Sequence, residues 1–249
     1  MRIISRLDIK SPNLVKGVRL EGLRIIGDPA LKAEKYYLDG IDEIFYQDIV
    51  ASLYQRNSIH DLIQKTAKNI FVPLTVGGGI RSLDDIYHAL RSGADKVSIN
   101  TIAIESPKFI TEAAKAYGSQ CIVVAVESIL QPDGVWRAFT NNGREKTALD
   151  VVEWVKKAVD YGAGEIVLTS VDREGTAKGF DLRLIEKVAG IIKVPLIIHG
   201  GAGKIEDLIE VAQMNIQGVM LAHVLHYNKL SVIEIKAALK EKGLNIRPL

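Results

Sequence analysis

Pro73-Leu74-Thr75-Val76-Gly77-Gly78-Gly79, followed at helix length by Lys96-Val97-Ser98-Ile99-Asn100, decides the fold. The stretch reads as strand, glycine turn, helix, strand, and it recurs. A gapless shift of 122 positions lays Pro73, Leu74, Gly78, Gly79, Asp85 and Val97 on Pro195, Leu196, Gly200, Gly201, Asp207 and Val219. The same shift lays Ile44 to Val50 on Ile166 to Asp172, and at a shift of 119 Leu7-Asp8-Ile9 resembles Val126-Glu127-Ser128. The chain therefore reads as two related halves, about 1–119 and 120–249, each of four strand-helix units. Eight such units closing on themselves form an α/β fold, a single-domain (β/α)8 TIM barrel, which places its chemistry on the loops after the strands.

Length and composition fit one barrel rather than two domains. The chain has 249 residues, 47% hydrophobic and 25% charged, with a formal net charge of +2 that gives no reason to expect nucleic acid. The single Cys121 excludes an internal disulfide framework and reads as a core residue opening an apolar strand. Arg2, Arg6, Asp8 and Lys10 leave no apolar leader, and no apolar run is long enough to span a bilayer, so a cytoplasmic protein without membrane contact is expected.

Taken in order, the strands are expected at 2–9, 43–49, 72–76, 96–100, 122–127, 165–171, 195–199 and 218–222. Lys10 to Gly27 reads as a long connection with a short extended piece at Leu14 to Leu20. Asp28-Pro29 opens a helix to Leu38, Asn57 caps one running to Lys68, Ser82 caps the third, and Ser106-Pro107 starts the fourth. In the second half, Pro132-Asp133-Gly134 signals a hairpin before the alternating Trp136 to Thr140. Ala148, Val151, Val152, Val155, Ala158 and Val159 recur at helical spacing, Asp181 caps the next helix, and Ser231 to Lys242 closes the ring.

Three constellations carry the functional reading. Gly78-Gly79 and Gly200-Gly201 sit beside the ends of the next strands, at Asn100-Thr101 and Ala222-His223. Glycine lets backbone N–H groups approach an anion, so two such turns on opposite sides suggest a small substrate with a phosphate at each end; taken singly, each is an ordinary tight turn. Asp8 and Glu127 occupy matching strand ends and can act as general acid and base, or be strand-end carboxylates paired with Lys or Arg. Arg2, Glu43, Lys96 and Glu165 lie at the opposite ends of their strands as a ring of two positive and two negative charges, which read alone amounts to surface salt bridges. His199, His223 and His226 show no metal-ligand spacing, so no metal or other cofactor is expected, and His60 and His88 read as solvent-facing.

The ordered motifs resemble the cyclase subunit of imidazole glycerol phosphate synthase, the HisF family, over essentially the whole chain. They are Leu7-Asp8-Ile9-Lys10, Leu14-Val15-Lys16-Gly17, Gly40-Ile41-Asp42-Glu43, Thr75-Val76-Gly77-Gly78-Gly79-Ile80, Gly93 to Thr101, Gly162-Ala163-Gly164-Glu165, Thr169 to Arg173 and Gly200-Gly201-Ala202-Gly203. The resemblance implies a lyase of histidine biosynthesis that takes ammonia from a HisH-like glutaminase docked on the barrel floor and adds it to a bisphosphorylated substrate. It gives Asp8 and Glu127 catalytic positions, makes Lys16 the mobile-loop lysine, places Asp172 and Gly175 with the substrate-binding loops, and makes Arg2, Glu43, Lys96 and Glu165 the ammonia gate.

Three residues depart from that pattern. Glu127 stands where the family carries a second catalytic Asp, and His199 and His223 stand where Ser is usual. These departures resemble a WbuZ-like branch, which implies an alternative partner, a sugar amidotransferase of surface-glycan synthesis.

Overall fold

The computed structural model describes residues 1–51 and 59–248. Its first strand, β1 (Arg2–Lys10), has two faces. Ile3, Leu7 and Ile9 join the large apolar core packed with helices, whereas Ile4 joins a separate cluster with Phe45, Val123, Val167, Ile197 and Met220. That period-two division is what a barrel strand requires, one face toward the helices and one toward the barrel interior.

A hairpin follows, β2 (Asn13–Val18) and β3 (Glu21–Gly27), antiparallel to β1 and to each other. The single extended piece expected at Leu14 to Leu20 is thus two strands broken by a turn, in which Arg19 and Leu20 take φ of 54° and 63°. β3 is largely exposed, so it has no apolar alternation to betray it.

α1 (Pro29–Leu38) starts as expected, with Pro29 in its first turn and Asp28 accepting from Leu31 N–H. β4 (Glu43–Asp48), α2 (His60–Ala67), β5 (Leu74–Gly77), α3 (Leu83–Arg91) and β6 (Lys96–Ile99) follow. The expected cap Asn57 lies outside the described residues. Ser82 and Asp85 cap α3 reciprocally. A short helix, α4 (Thr101–Glu105), precedes α5 (Lys108–Tyr117) and was not anticipated, since five residues carry no helical period.

Cys121 is half-buried in a 3₁₀ turn, Ser119–Cys121, so it does not open the strand; β7 (Ile122–Leu130) begins one residue later. β8 (Trp136–Thr140) pairs back on β7 across the Pro132-Asp133-Gly134 turn. β9 (Glu145–Asp150) then corrects the expected helix start at Ala148. That residue is in a strand, and α6 (Val151–Asp160) begins where the Asp150 side chain accepts from Val152 and Glu153 N–H. The remainder is β10 (Glu165–Ser170), α7 (Leu182–Ala189), β11 (Leu196–His199), α8 (Ile205–Ala212), β12 (Gly218–Leu221), α9 (His223–His226) and α10 (Val232–Glu241). Asp181 caps α7 as read, and the last helix, expected over Ser231 to Lys242, starts at Val232 with Ser231 as its cap.

β1, β4, β5, β6, β7, β10, β11 and β12 pair in parallel in chain order, and β12 pairs again with β1, closing a (β/α)8 barrel. The hairpins β2–β3 and β8–β9 extend from β1 and β7 at the C-terminal end of the barrel. The strand period then stacks the interior. Arg2, Ile4, Arg6 and Asp8 ascend β1; Glu43, Phe45 and Gln47 ascend β4; Glu165, Val167 and Thr169 ascend β10. A charged floor, an apolar middle layer and a polar mouth result.

Candidate active site

The floor is a closed ring. Arg2 donates from Nη1 to Glu43 Oε2 at 2.8 Å and from Nη2 to Glu165 Oε2 at 2.5 Å. Lys96 Nζ lies 2.7 Å from Glu43 Oε1 and 3.2 Å from Glu165 Oε1, so each carboxylate gives one oxygen to each cation. Thr75 Oγ1 also donates to Glu43 at 2.7 Å. These are not surface salt bridges. Both glutamates are buried, where a charge is tolerable only when paired and hydrogen-bonded as these are. Directly above lie Ile4, Phe45, Val123, Val167, Ile197 and Met220.

At the mouth Asp8 is buried, and Arg6, two residues earlier on the same face of β1, donates from Nε to its Oδ1 at 2.7 Å. Burial alone would raise the Asp8 pKa, but the charges of Arg6 and Lys16 hold it below the ordinary carboxylate value. Glu127 is also buried and goes the other way. Loss of water pushes it up to about 7, against weaker opposition from Arg6 and from the Gly143 N–H. Its Oε2 accepts from Asn100 Nδ2 at 3.0 Å and from Gly143 N–H at 2.7 Å. Two carboxylates in one mouth are thus split, Asp8 ionised and Glu127 holding a proton near neutrality.

The two glycine turns are geometric twins. Gly78 and Gly200 both take φ of +98°, and a Cβ would sit 2.1 Å from Asp48 O at the first and 2.6 Å from Ser170 O at the second. Asn100 and Ala222, which open α4 and α9, are related likewise, at φ/ψ of −132°/−75° and −133°/−73°. One cavity of about 40 Å³ gathers Gly78, Gly79, Asn100, Thr101 and Glu127 with Arg6, Asp48, Ser98, Asn142 and Thr169. A second, of about 660 Å³, opens between the β2–β3 hairpin and α9, and Lys16, Arg24, His223, Tyr227 and Lys229 line it. Burial, with Lys229 and Lys16 nearby, lowers the His223 pKa, so the ring is neutral at physiological pH.

Other expected residues sit differently. Asp172 accepts from Leu130 N–H at 2.8 Å, which pins β7 to the loop after β10. Gly175 packs against the hairpin, where a Cβ would lie 2.9 Å from Gly17 O. Lys16 is fully buried, with Nζ bound to Glu174 and, at 3.0 Å, to Gly17 O. His199 is buried beside Thr169, 3.4 Å from its Oγ1, and burial plus Arg6 and Lys16 drives its pKa well down. His226, buried, bridges Tyr36 Oη at 2.8 Å and Arg6 O at 3.0 Å. His88 is exposed and His60 half-buried, and no His, Cys, Asp and Glu group fit to hold a metal occurs among the described residues.

The sequence reading missed Arg6 and Glu174. The first was findable, because period two on β1 puts Arg6 on the face of Asp8. The second was not, because only the closed hairpin brings Glu174 to Lys16.

The fold and the site define a (β/α)8 barrel with a buried charge ring at its floor and two electrostatically split carboxylates at its mouth. The chain belongs to the family described as histidine biosynthesis protein, whose model matches residues 2–231. It is similar to the imidazole glycerol phosphate synthase subunit HisF of Legionella pneumophila, 52% identical over 207 residues, 83% of this chain and 98% of that relative. The subunits of the same name from Bacillus cereus (strain G9842) and Streptococcus mutans serotype c are 44% and 42% identical over 247 residues, 99% of this chain and 98% of each relative. No helix is long and apolar enough to cross a membrane among the described residues.

Proposed function

We propose that the protein is the ammonia-using subunit of a glutamine amidotransferase, a lyase and cyclase of the imidazole glycerol phosphate synthase type. The relatives are named as subunits, which supports a second polypeptide, and the expected one is a glutaminase seated on the N-terminal face over the Arg2, Glu43, Lys96 and Glu165 ring. That ring is the observation that carries the reading. Buried charges at a barrel floor cost stability that an apolar plug would not, so a second role for them is the economical explanation. Ammonia crosses the ring and the apolar layer as the neutral molecule, because the layer of Ile4, Phe45, Val123, Val167, Ile197 and Met220 cannot solvate ammonium.

At the mouth, Asp8 takes a proton from the attacking nitrogen and Glu127 gives one to the acceptor, the division their opposite pKa shifts support. The two glycine turns hold the two phosphates, and their shared φ supports the reading of two half-barrels, about 1–119 and 120–249. Glu127 is one methylene longer than the Asp of the family pattern, but Asn100 and Gly143 fix its head.

The test is conversion of the histidine-pathway bisphosphate with added ammonium, together with growth of a histidine auxotroph that lacks its cyclase and is given this gene with its glutaminase. Turnover and rescue are expected. Failure of both with a soluble, glutaminase-binding protein would overturn the reading and favour supply of ammonia to a sugar amidotransferase.

A further inference from the structure

We infer that Arg6 is a substrate-binding residue whose free guanidinium nitrogen receives the carbonyl oxygen of the ammonia acceptor at the centre of the barrel mouth. This rests on the proposed function for the identity of the reaction, but not for the binding itself.

The position comes from the strand period. Arg6 stands one interior step above Ile4, in the apolar layer, and one below Asp8, so it lies between the ammonia route and the carboxylates. The guanidinium is buried, and its Nε is committed to Asp8 at 2.7 Å. Nη2 is buried too and has no hydrogen-bond partner among the described residues. A charged donor left unmade in the interior is destabilising, and arginine's planar fork suits an sp² oxygen.

The surroundings show where that oxygen would come from. Arg6 lines the same cavity as Gly78, Gly79, Asn100 and Glu127. Other buried polar atoms without partners belong to residues lining the same cavity: Asp48 Oδ2, Ser98 Oγ, Asn100 Oδ1 and the Asn142 amide. Native interiors pair nearly all such atoms, so their convergence on one small space marks a built polar site that a ligand completes. Donors and acceptors are both present, so the bound group presents a carbonyl oxygen to Arg6 and can present N–H or O–H to the acceptors.

The chemistry follows. Ammonia's lone pair attacks the carbonyl carbon, an N–C bond forms and the C=O π pair moves to oxygen. One proton leaves nitrogen for Asp8, one from Glu127 joins the oxygen, and a carbinolamine results with atoms and charge balanced. Arg6 Nη2 lies where the oxygen's negative charge develops, which is the place a fixed donor accelerates a reaction. Burial works against the Arg6 charge, but Asp8, to which it is hydrogen-bonded, and the nearby acidic groups Glu127 and Glu174 outweigh it, and Asp8 and Glu174 do so even while Glu127 keeps its proton.

Formate serves as the probe, being an sp² oxygen small enough for the cavity. Titrations are run without inorganic phosphate, because Gly78 and Gly79 line the same cavity as Arg6, on protein labelled with ¹⁵N-arginine. The Arg6 Nε signal is identified by its loss in Arg6→Lys, which keeps the charge beside Asp8 and removes the fork. Formate is expected to shift that signal and to bind Arg6→Lys roughly tenfold or more weakly. In the ammonium-driven reaction Arg6→Lys should lower kcat about a hundredfold with a smaller change in KM. An Arg6 signal indifferent to formate, or equal formate affinity in both proteins, overturns the assignment. If the wild type does not turn over the bisphosphate, the proposed reaction fails, while the formate result still decides the role of Arg6.

Discussion

Lys16 Nζ on the β2–β3 hairpin forms a buried ion pair with Glu174, 158 residues further along, on the loop after β10. Glu174 holds the hairpin's turn as well: its Oε2 accepts from Leu20 N–H at 3.1 Å and its carbonyl from Arg19 N–H at 2.9 Å. One residue thus latches the hairpin over the mouth. Removing one partner of a buried pair leaves the other charge uncompensated, at a cost of about 3–5 kcal/mol. Glu174→Gln should therefore lower Tm and speed amide exchange at Arg19 and Leu20. Unchanged exchange at those two amides would show that Glu174 is not the latch.

The floor ring makes a separable prediction. Lys96→Ala leaves Arg2 as the one cation of the ring facing Glu43 and Glu165 and opens the ring without touching Asp8 or Glu127. Glutamine-driven turnover of the complex should fall roughly tenfold, the equivalent of about 1.4 kcal/mol, while turnover driven by added ammonium stays near wild type. Equal loss in both assays would mean that the ring supports the fold rather than the passage of ammonia.

Asp8→Asn keeps the shape of the side chain and removes its capacity to accept a proton. The ammonium-driven rate should drop by roughly 10²-fold or more, as expected when a general base is removed. Because Arg6 loses its carboxylate partner, the far-UV spectrum and Tm must be recorded alongside. A folded Asp8→Asn protein with undiminished kcat would take Asp8 out of the chemistry.

Gly78→Ala addresses the anion turns. With φ of +98° and a Cβ placed 2.1 Å from Asp48 O, the substitution must shift backbone at the turn itself. Stability should fall by about 1–3 kcal/mol, and inorganic phosphate should bind more weakly at the Gly78 turn while the Gly200 turn is unaffected. Calorimetry resolving two phosphate sites in the wild type and one in the variant would bear this out. Two unaltered sites would remove the first turn from ligand binding.

What was legible in the sequence follows from which interactions are local. The barrel strands are buried on both faces and so read as apolar runs, and the caps at Asp28, Ser82, Asp181 and Ser231 are made within three residues, so all were readable. β3 and β9 were not, because they are exposed hairpin strands whose pattern is set by pairing rather than burial. At the site, the repeat exposed both the glycine turns and the matching strand-end positions of Asp8 and Glu127. The Lys16–Glu174 pair arises from chain closure between distant segments, and no spacing announces it. The burial of Glu43 and Glu165 is likewise a property of the closed barrel, which is why a ring of four charges looked like ordinary surface pairing.

Glu127 gives the most discriminating test, because stability and rate should respond to one proton. Its pKa rises from an ordinary 4.5 to about 7 in the folded protein. Between those values the folded state keeps a proton that the unfolded state has released, so this group's contribution to stability falls as pH rises from about 5 to about 7. At about 1.36 kcal/mol per unit, the loss is on the order of 3 kcal/mol. His226, lowered from 6.5 to about 4 by burial, acts with the opposite sign in an overlapping window, since its unfolded state binds the extra proton. The measurement is therefore a difference: denaturant-derived stability of wild type minus Glu127→Gln, at pH 5 and at pH 8. It should decline by that amount, with Arg6, Asp8 and Arg144, whose charges act on Glu127, unaltered in both proteins. The rate should follow the same proton. Expressed per neutral ammonia, kcat/KM should fall above pH of about 7 as Glu127 loses the proton it donates, and the variant should lack that limb. A flat stability difference would mean that Glu127 is ionised throughout, and an alkaline limb that persists in Glu127→Gln would assign the acid to another group.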